Sequence, residues 1–447
     1  MQQQTCLGYG GYGSVFSCGT DSVVKVFHEK YSSEDHALVR DIIFHESCSH
    51  LPGVVNFRSV CLDKGGQWRI VMERADQDLF QFVNYTLPGS VLPFSTCIHM
   101  LKDISTALAG LHSNYVTHRD VKVENILVFK REEKPYQFCL TDFGLSRAGR
   151  TKGSNTLKRF PPGSYNIRAP EVILGSSELG PEVDIFALGC TVLDCLLPSD
   201  SFFVHGRDSE VGQLMSLLRF MGSPDFATDW GAALALPLFS SRFPKCRPSE
   251  AWVRLSKRTG TLGRLLERML AWDPKRRPTA NQITGVLDEE IFKVGPSPPI
   301  PERPVPVSCL LFRRKSCDLE GRQNVVDWWM EVYHNHQPGG ELTTVIASLL
   351  FLDAYCYEIG SFPPRIMAAA IMSLISSLND EEPLEVRDIV RWASDLVVSE
   401  HKVHVYKRRI LVHSTLRRWV FPALYEAHRR PELGNRLLVS QKKIATK

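Results

Sequence analysis

The sequence predicts a mixed α+β unit followed by a smaller all-α unit, and three observations lead to this prediction. Short apolar runs at residues 23–27 and 68–72 are typical of strands, whereas apolar residues recur mostly at helical spacing from Phe94 onward. Six of the twelve residues at 295–306 are proline, a composition that favours an extended, semi-rigid linker. Beyond about residue 307 no strand pattern is found, so the last third of the chain is predicted to be helical.

Each predicted element follows from its local pattern. A helix-like stretch at residues 33–48 separates the two strand-like runs, and longer helical patterns occupy residues 98–111 and 183–197. In the last third, five segments carry apolar residues at helical spacing: residues 325–333, 342–357, 366–378, 386–398 and 403–419. The sequence therefore predicts five helices after the linker.

The composition excludes several classes of protein. With 43% hydrophobic and 23% charged residues, the chain is predicted to be globular and not mainly disordered. Its first residues lack the basic and apolar regions of a signal peptide, and the longest clean apolar stretch, residues 366–378, is too short to span a bilayer. Twelve cysteines without a CxxC pair predict reduced thiols and no zinc site. We therefore expect a cytoplasmic or nuclear protein with no membrane partner.

The net charge of +4 is too small to indicate a nucleic-acid binder, but the charge is unevenly distributed. Residues 401–447 contain 12 Lys and Arg against 2 Asp and Glu, so this end carries +10 and the rest of the chain −6. A basic end could meet an acidic partner, nucleic acid or an import receptor. Exposed basic helix faces are the interpretation that we favour, and we expect no nucleic-acid partner.

The first chemical motif is a glycine-rich run at residues 8–15. It has the form GxGxxGxV, with the fixed positions Gly8, Gly10, Gly13 and Val15. Glycines allow a hairpin backbone to approach phosphates, and a valine at this place can cover an adenine ring. An ordinary glycine-rich turn would explain the run equally well if it stood alone. Lys25 follows on the strand after next, where it could reach the α- and β-phosphates of a nucleotide.

The second motif decides the chemistry. Residues 118–125 have the form HRDxKxxN, and Asp142-Phe143-Gly144 follows. Phosphoryl transfer needs alignment and charge neutralisation more than covalent chemistry. Asp120 is spaced to orient a substrate hydroxyl and accept its proton, and Lys122 to neutralise the γ-phosphate. Asn125 and Asp142 are the residue types that hold Mg²⁺. Capping of helices and turns does not explain all of these residues in this order.

Over residues 1 to about 293 the sequence resembles the eukaryotic protein kinases. The resemblance implies a bilobal α+β fold, with an N-lobe at about residues 1–73 and a C-lobe at about 78–293. It also implies ATP and Mg²⁺ as cofactors and protein substrates phosphorylated on Ser or Thr. Three further residues match structural positions of the family: Glu171 at the end of the activation segment, Asp184 as the buried brace of the catalytic loop, and Arg277 as the partner of Glu171.

The segment at residues 73–79 resembles the hinge of the cyclin-dependent kinases. The resemblance makes Met72 the gatekeeper, and it implies that the backbone of Glu73 and Ala75 contacts adenine. Residues 208–224 resemble the insert-helix region of the same group, with its closing Gly-Ser-Pro. Membership of this branch implies a preference for Ser/Thr-Pro sites.

The regulatory helix departs from the family pattern. The family reads I/V-R-E-I where this chain has Val39-Arg40-Asp41-Ile42, so Asp41, one methylene shorter, falls at the position of the acid that pairs with Lys25. Glu46, more than one turn further on, is the rival for this role.

The activation segment departs as well. Arg159 falls where these kinases carry the activating phosphothreonine, and Thr156 is the nearest alternative acceptor. Ser164 matches the residue that bonds the catalytic Asp and Lys. Gly163 lies where the loop lets a substrate proline approach, which is compatible with the Ser/Thr-Pro preference.

Residues 321–333 contain Asp327-Trp328 followed by Glu331, residues 342–357 carry Leu350 and Asp353, and helical segments follow at 366–378, 385–390 and 405–411. In this order residues 322–424 resemble one cyclin box. We therefore expect a linker at 294–306, a cyclin-like domain at 307–425 and a basic tail at 426–447. The Lys and Glu with which cyclins grip the regulatory helix are replaced, by Ser377 or Leu378 and by Tyr406. Gly321 and Asn324 alter the docking patch as well, because they stand at positions that are usually Met and Ile in cyclins.

The sequence thus predicts a Ser/Thr kinase that is activated in cis by its own cyclin-like domain, with an intramolecular contact of altered chemistry. One alternative is a catalytically weak kinase fold whose helical domain recruits a cell-cycle or transcription protein. Another is a kinase with an autoinhibitory helical tail. Comparing the activity of the full chain with that of residues 1–294 distinguishes the three.

Overall fold

The computed structural model describes residues 5–28, 35–132, 135–150, 163–164, 167–197, 209–258, 260–291, 325, 328–329, 342–359, 365–380, 384, 386, 389, 400–412, 414–417 and 420–430. The predicted linker at 294–306 lies outside these residues, as do Arg159 and Thr156 of the activation segment and Gly321 and Asn324 of the predicted cyclin box.

The first layer is a sheet of five antiparallel strands in the spatial order β1–β2–β3–β5–β4. Their bounds are β1 Cys6–Tyr9, β2 Gly13–Ser17, β3 Ser22–Phe27, β4 Phe57–Leu62 and β5 Trp68–Glu73. The valines of β3 favour a strand, and five of its six residues are buried because β3 lies at the centre of the sheet. The strands predicted at residues 23–27 and 68–72 are confirmed.

The helix α1, His36–Cys48, follows the third strand and packs on the sheet. The carboxylate of Asp35 caps it by accepting hydrogen bonds from the amides of Ala37 and Leu38, at 2.9 and 3.1 Å. All eight residues at 38–45 are buried. A helix covered on one side buries only a stripe, so α1 must be covered on both sides.

The second lobe is mainly helical and is built around a central helix, Phe94–Ser113. Its helices are α2 Leu79–Gln81, α3 Phe94–Ser113, α4 Pro170–Ile173, α5 Glu182–Leu196, α6 Glu210–Met221, α7 Phe226–Asp229, α8 Glu250–Arg258, α9 Thr261–Met269 and α10 Ala280–Ile291. The helices predicted at residues 98–111 and 183–197 are confirmed as α3 and α5.

Two small sheets lie where the lobes meet. One has the order β6–β8–β9 and the other pairs β7 with β10; the bounds are β6 Gln77–Asp78, β7 Val116–Thr117, β8 Ile126–Phe129, β9 Gln137–Leu140 and β10 Arg147–Ala148. The ribbon of β7 and β10 therefore immediately precedes the HRD motif and follows the DFG motif.

Among the described residues of the C-terminal unit, helices are the only regular secondary structure. Its helices are α11 Leu342–Ile359, α12 Arg365–Asn379, α13 Glu400–Val412, α14 Ser414–Arg417 and α15 Val420–Arg429. The helices predicted at 342–357 and 366–378 are confirmed, and the one predicted at 403–419 corresponds to α13 and α14. Of the helices predicted at 325–333 and 386–398, only residues 325, 328, 329, 386 and 389 are described, all of them helical.

The last of these helices, α15, was not predicted. Pro422 lies in its first turn, where the missing amide donor breaks no intrahelical bond. The helix crosses residue 425, at which the predicted cyclin-like domain ends. No helix among the described residues is both long and apolar enough to cross a bilayer.

The C-terminal unit covers the outer face of α1. The rings of Phe44 on α1 and Phe421 on α15 meet edge to face, with centroids 6.3 Å apart, and both side chains are buried. Burying one such ring fully contributes about 2 kcal/mol. The burial of both faces of α1 is therefore explained by the sheet on one side and the C-terminal unit on the other.

Candidate active site

The glycine-rich hairpin of β1 and β2 lies beside the third strand. A Cβ on Gly13 would come within 2.3 Å of the carbonyl oxygen of Val26, so only glycine permits this approach. Gly8 has no such restriction, and the amide of Gly10 bonds the carbonyl of Gly13 at 2.8 Å. Val15 is directly opposite Lys25 in the strand pairing. The hairpin thus places its valine beside the candidate phosphate-binding lysine.

Lys25 lies between two carboxylates at the centre of the site. Its Nζ is 2.7 Å from Asp41 Oδ2 and 3.2 Å from Asp142 Oδ1. Burial alone would lower the pKa of Lys25, but the carboxylates of Asp142 and Asp41 outweigh it and raise the pKa above its ordinary value. Burial would likewise raise the pKa of Asp142, but Lys25 holds it below its ordinary range. Lys25 and Asp142 are therefore both charged at neutral pH.

Asp41 is the acid of α1 that contacts Lys25, and it uses both of its oxygens. While Oδ2 binds Lys25, Oδ1 accepts a hydrogen bond from the amide of Phe143 at 3.0 Å. The rival, Glu46, instead pairs with Arg417 of the C-terminal unit. A single short side chain thus joins α1 to the third strand and to the DFG segment.

The candidate catalytic group, Asp120, belongs to a closed network of four side chains. Its Oδ1 accepts from the amide and Oγ of Ser164 at 3.1 and 2.9 Å, and its Oδ2 accepts from Asn125 Nδ2 at 2.9 Å. Lys122 Nζ lies 2.8 Å from both Asp120 Oδ2 and Ser164 Oγ. Burial would lower the pKa of Lys122, but Asp120 outweighs it and raises that pKa. The carboxylate is thereby fixed in one orientation.

Asp184 holds the backbone of the HRD motif in place through hydrogen bonds. It is completely buried, and its two oxygens accept from the amides of His118 and Arg119 at 2.8 and 2.7 Å. Arg119 has a φ of +71°, a conformation that costs energy in a non-glycine residue and here needs such a brace. The predicted role of Asp184 as a brace is confirmed.

The predicted pairing of Arg277 with Glu171 is confirmed too. Two parallel hydrogen bonds of 2.6 and 2.7 Å join their side chains, and the guanidinium lies over the Phe186 ring. This pair lies within the second lobe and supports the chain after the activation segment.

Asn125 and Asp142 fit a magnesium ion by their donor chemistry. Asn125 donates hydrogen bonds from Nδ2 to Asp120. Its amide oxygen is therefore the atom that can bind a cation. Asp142 has a φ of +64°, and its Oδ1 makes the contacts to Lys25 and Gly144, so Oδ2 lies outside both. Within the described residues no group of three or more His, Cys, Asp or Glu could hold a metal by itself. Magnesium with few protein ligands commonly relies on substrate phosphates as well.

The candidate adenine-binding segment leaves the sheet at the end of β5. Met72 is buried there and pairs with Val23 and Phe57, and Glu73 bonds Asn56 through its amide and Arg131 through its carboxylate. Ala75, partly buried, follows. Met72 thus lies in the core near the end of β5, directly before Glu73.

Sequence reasoning missed the side chains that surround Phe143. His45 of α1 stacks on the Phe143 ring at 5.5 Å, and His118 meets the ring edge at 5.0 Å. Burial lowers the pKa of His45, so it is neutral in this column. The HRD motif signals His118, but His45 stands on a helix face where a histidine is usually a satisfied core residue.

The sequence placed Ser377 or Leu378 where the C-terminal unit meets α1, but it did not show which atoms make the contact. The carbonyl oxygen of Ser377 accepts from Arg40 Nε at 2.9 Å and from Arg147 Nη1 at 2.7 Å. Ser377 Oγ lies 2.9 Å from His36 Nδ1, and the buried Lys407 donates to it at 3.3 Å. Tyr406, which the resemblance places in the grip, packs on the core instead. Lys407 is its neighbour in sequence, which is the signal that could have identified it.

The protein kinase domain family matches residues 1–286 of the chain. The human serine/threonine-protein kinase MAK is 28% identical over 302 residues, which cover 65% of this chain and 45% of that protein. Cyclin-dependent kinase F-3 of Oryza sativa subsp. japonica is 28% identical over 301 residues, or 65% of this chain and 64% of that protein. The mouse serine/threonine-protein kinase ICK is 27% identical over 301 residues, or 65% and 44%. The chain therefore matches less than two thirds of the length of each relative.

These matches and the site agree on the class. The chain belongs to the protein kinase family, with a β-sheet N-lobe and a helical C-lobe, and two of the relatives that it resembles, MAK and ICK, are serine/threonine-protein kinases.

Proposed function

We propose that the chain transfers the γ-phosphoryl group of ATP to serine or threonine hydroxyls of proteins, and that its own C-terminal helices activate it as a cyclin-like domain in cis. The observation that carries the proposal is the position of α1. Its inner face delivers Asp41 to Lys25, while its outer face is covered by the C-terminal unit. The helix that completes the ATP site is thus the helix that the second unit holds.

The residues supply each requirement of the reaction. The oxygen of the substrate hydroxyl bonds to the γ-phosphorus while ADP leaves, and Asp120 accepts the proton that this hydroxyl loses. Lys25 orients the α- and β-phosphates, and Lys122, fixed by Asp120 and Ser164, faces the charge that develops on the transferred group. Magnesium held by Asn125 and Asp142 would neutralise phosphate charge.

Two polar contacts support the activating role of the C-terminal unit. The Ser377 carbonyl accepts from Arg40 of α1 and from Arg147 of β10 at once, so one acceptor joins the helix to the strand that follows the DFG motif. Arg417 holds Glu46 near the other end of α1. A linker of about a dozen residues gives a millimolar effective concentration, so an interface of altered chemistry can still remain closed.

We also propose that the chain prefers substrates with a proline directly after the phosphorylated residue. Gly163 has a φ of +86°, and a Cβ there would meet the carbonyl oxygen of Arg119 at 2.9 Å. Its own carbonyl accepts from Arg168 Nε at 2.9 Å. This backbone leaves the adjoining surface without a side chain, and paired Ser-Pro and Ser-Ala peptides would measure the preference as a ratio of kcat/KM.

The decisive experiment compares the full chain with residues 1–294. ATP binding to the shorter chain serves as the folding control, and the full chain carrying Asp120→Asn gives the background rate. We expect residues 1–294 to bind ATP but to phosphorylate protein substrates at least tenfold more slowly, since α1 loses its outer support. Adding residues 307–447 at high concentration should partly restore the rate.

Other outcomes would favour the alternatives. If residues 1–294 were as active as the full chain, the helical unit would be a recruiting module. If they were more active, it would be autoinhibitory. A full chain as slow as its Asp120→Asn variant would indicate a catalytically weak scaffold.

A further inference from the structure

The C-terminal unit makes a second contact with the kinase domain, away from α1. Near the end of α15 the His428 ring stacks on Tyr115, with centroids 5.7 Å apart and the planes 23° from parallel. The Tyr425 ring of the same helix also contacts Tyr115, at a centroid distance of 5.8 Å and with the planes tilted by 54°. Tyr115 immediately precedes β7, so the contact lies at the open end of the ribbon of β7 and β10.

Gly149, the residue after β10, completes this contact. A Cβ on Gly149 would come within 2.2 Å of the His428 ring, so the ring occupies the space that any other residue would fill. The amide of Gly149 bonds the carbonyl oxygen of Tyr115 at 2.7 Å, which closes the ribbon. His428 therefore fits against the paired ends of both strands of the ribbon.

The orientation of His428 is set inside the C-terminal unit. Its Nε2 lies 2.7 Å from Asn379 Oδ1. Asn379 Nδ2 in turn donates to Thr344 Oγ1 at 2.9 Å and lies 3.3 Å from Asp380 Oδ1. Because the Asn379 amide nitrogen faces these acceptors, its oxygen faces the histidine, and His428 must carry its proton on Nε2.

We propose that His428 is a positioning residue, which seats the C-terminal unit on the ribbon and so sets the catalytic loop together with α1. The inference rests on the proposed activating role and names a second point through which it acts. Ser377 lies two residues before Asn379, so one end of α12 supports both contacts. Through Ser377 this end of α12 contacts α1. Through Asn379 and His428 it contacts the ribbon of β7, which precedes Asp120, and β10, which follows Asp142.

The test is a double-mutant cycle in the full chain, with His428→Ala, Gly149→Ala and the two combined. We expect His428→Ala to lower kcat about tenfold, with little change in KM for ATP, since the Lys25 pair keeps its support from Ser377. In the parent protein, Gly149→Ala should lower kcat by more than His428→Ala does. In the His428→Ala background, the loss of kcat caused by Gly149→Ala should be smaller by a factor of at least about five. The clash with the imidazole is then gone, and only the strain of the positive φ at residue 149 remains. His401→Ala, an exposed histidine on α13, is the matched control and should change nothing.

The outcomes separate this inference from the proposed function. Additive effects of the two substitutions, or an unchanged kcat in a folded His428→Ala protein, would overturn the inference. If Arg417→Glu, which breaks the contact to α1, still lowered kcat, the activating role would stand without it. If neither His428→Ala nor Arg417→Glu lowered kcat, both the positioning role of His428 and the activating role of the C-terminal unit would fail. A loss of thermal stability in His428→Ala at unchanged kcat would likewise count against a positioning role.

Discussion

Glu46 and Arg417 are separated by 371 residues and form a two-bond ion pair that ties α1 to the C-terminal unit. One bond, from Nη2 to Oε1, is 2.8 Å long, and Arg417 is almost completely buried. The carboxylate that rivalled Asp41 for Lys25 thus has a different partner. Each acid of α1 faces one of the two units that the helix joins.

The first prediction concerns this ion pair. Arg417→Glu should lower phosphorylation by the full chain and destabilise the docked state by about 1–3 kcal/mol, because it leaves two like charges in a partly buried site. The exchange of both residues, Glu46→Arg with Arg417→Glu, should recover part of the activity. Initial rates at saturating ATP would measure both effects.

Arg408→Glu provides the matched control, since Arg408 is exposed on the same unit. It should behave like the parent protein. Equal activity of the parent and Arg417→Glu would show that the pair contributes nothing to the active state.

The second prediction concerns the reacting groups. Asp120→Asn should lower kcat by about 10²–10⁴-fold because the proton acceptor is lost, while Asn still accepts hydrogen bonds in the network with Ser164. Asp142→Asn should also abolish turnover, and it should weaken binding of magnesium-ATP more than Asp120→Asn does. Nucleotide titration and single-turnover rates separate the two effects. Near-normal turnover by either folded variant would refute the assignment.

The third prediction is that Asp41→Glu lowers activity, although Glu is the family's residue. Asp41 is 2% exposed and satisfies Lys25 and the Phe143 amide simultaneously. An added methylene in such a site must displace α1, at a cost of about 1–3 kcal/mol. Kinetics of Asp41→Glu beside Asp41→Asn would show whether length or charge matters more. Wild-type activity of Asp41→Glu would mean that α1 adjusts freely.

Local motifs predicted much of the catalytic half. The HRD and DFG motifs are short in sequence, and the hydrogen bonds among Asp120, Lys122 and Asn125 join residues at most five apart, so spacing alone could indicate them. Strands β3 and β5 and helices α3 and α5 carry enough apolar periodicity to be predicted in place.

The interface between the two units could not be predicted in the same way. Its contacts pair residues more than 200 positions apart, such as Arg147 with the Ser377 backbone, and a backbone acceptor leaves no mark on the sequence. The sequence indicates that Ser377 and Tyr406 lack the Lys and Glu side chains of the expected grip, but it does not show that the Ser377 carbonyl bonds Arg40. Only the packed structure shows that the buried Lys407 bonds Ser377 within the C-terminal unit and that Arg417 reaches across to Glu46.

The fourth prediction concerns activation by phosphorylation. Arg159 falls at the usual acceptor position, and the guanidinium groups of Arg40 and Arg147 already bond the Ser377 carbonyl. We expect protein expressed in bacteria to be active, with phosphatase treatment leaving its rate within about twofold. A large loss on dephosphorylation, mapped by mass spectrometry to Thr151 or Thr156, would show that a shifted acceptor has taken over.

The fifth prediction concerns the pH dependence of the C-terminal unit, in which two buried groups titrate in opposite senses. Burial raises the pKa of Asp380 to about 6, even though Ser376 and Thr344 donate to it at 2.5 Å and Arg147 lies near. Burial lowers the pKa of His428 to about 4. The ordinary values are 3.8 and 6.5, so each group changes the folding free energy by about 3 kcal/mol.

The signs follow from linkage. Asp380 has a raised pKa in the folded state, so its contribution is fully present below about pH 4 and is lost as the pH rises through 6. His428 has a depressed pKa, so its contribution is present above about pH 6.5 and is lost as the pH falls through 4. Between pH 4 and 6.5 the two contributions change in opposite directions and largely cancel in the parent protein.

Removing either group should therefore expose the other. Between pH 7 and 4, Asp380→Asn should lose about 3 kcal/mol more stability than the parent, because only His428 then responds to acid. His428→Gln, which retains a donor for Asn379, should lose correspondingly less than the parent over the same range. Thermal unfolding of the full-length parent and the two variants at each pH measures these differences, and all other titrating groups are common to the three proteins. Three parallel curves would mean that neither group is buried in the folded state as the structure has it, whereas curves that diverge with opposite signs would establish that the Asp380 network and the His428 contact titrate as part of the folded unit.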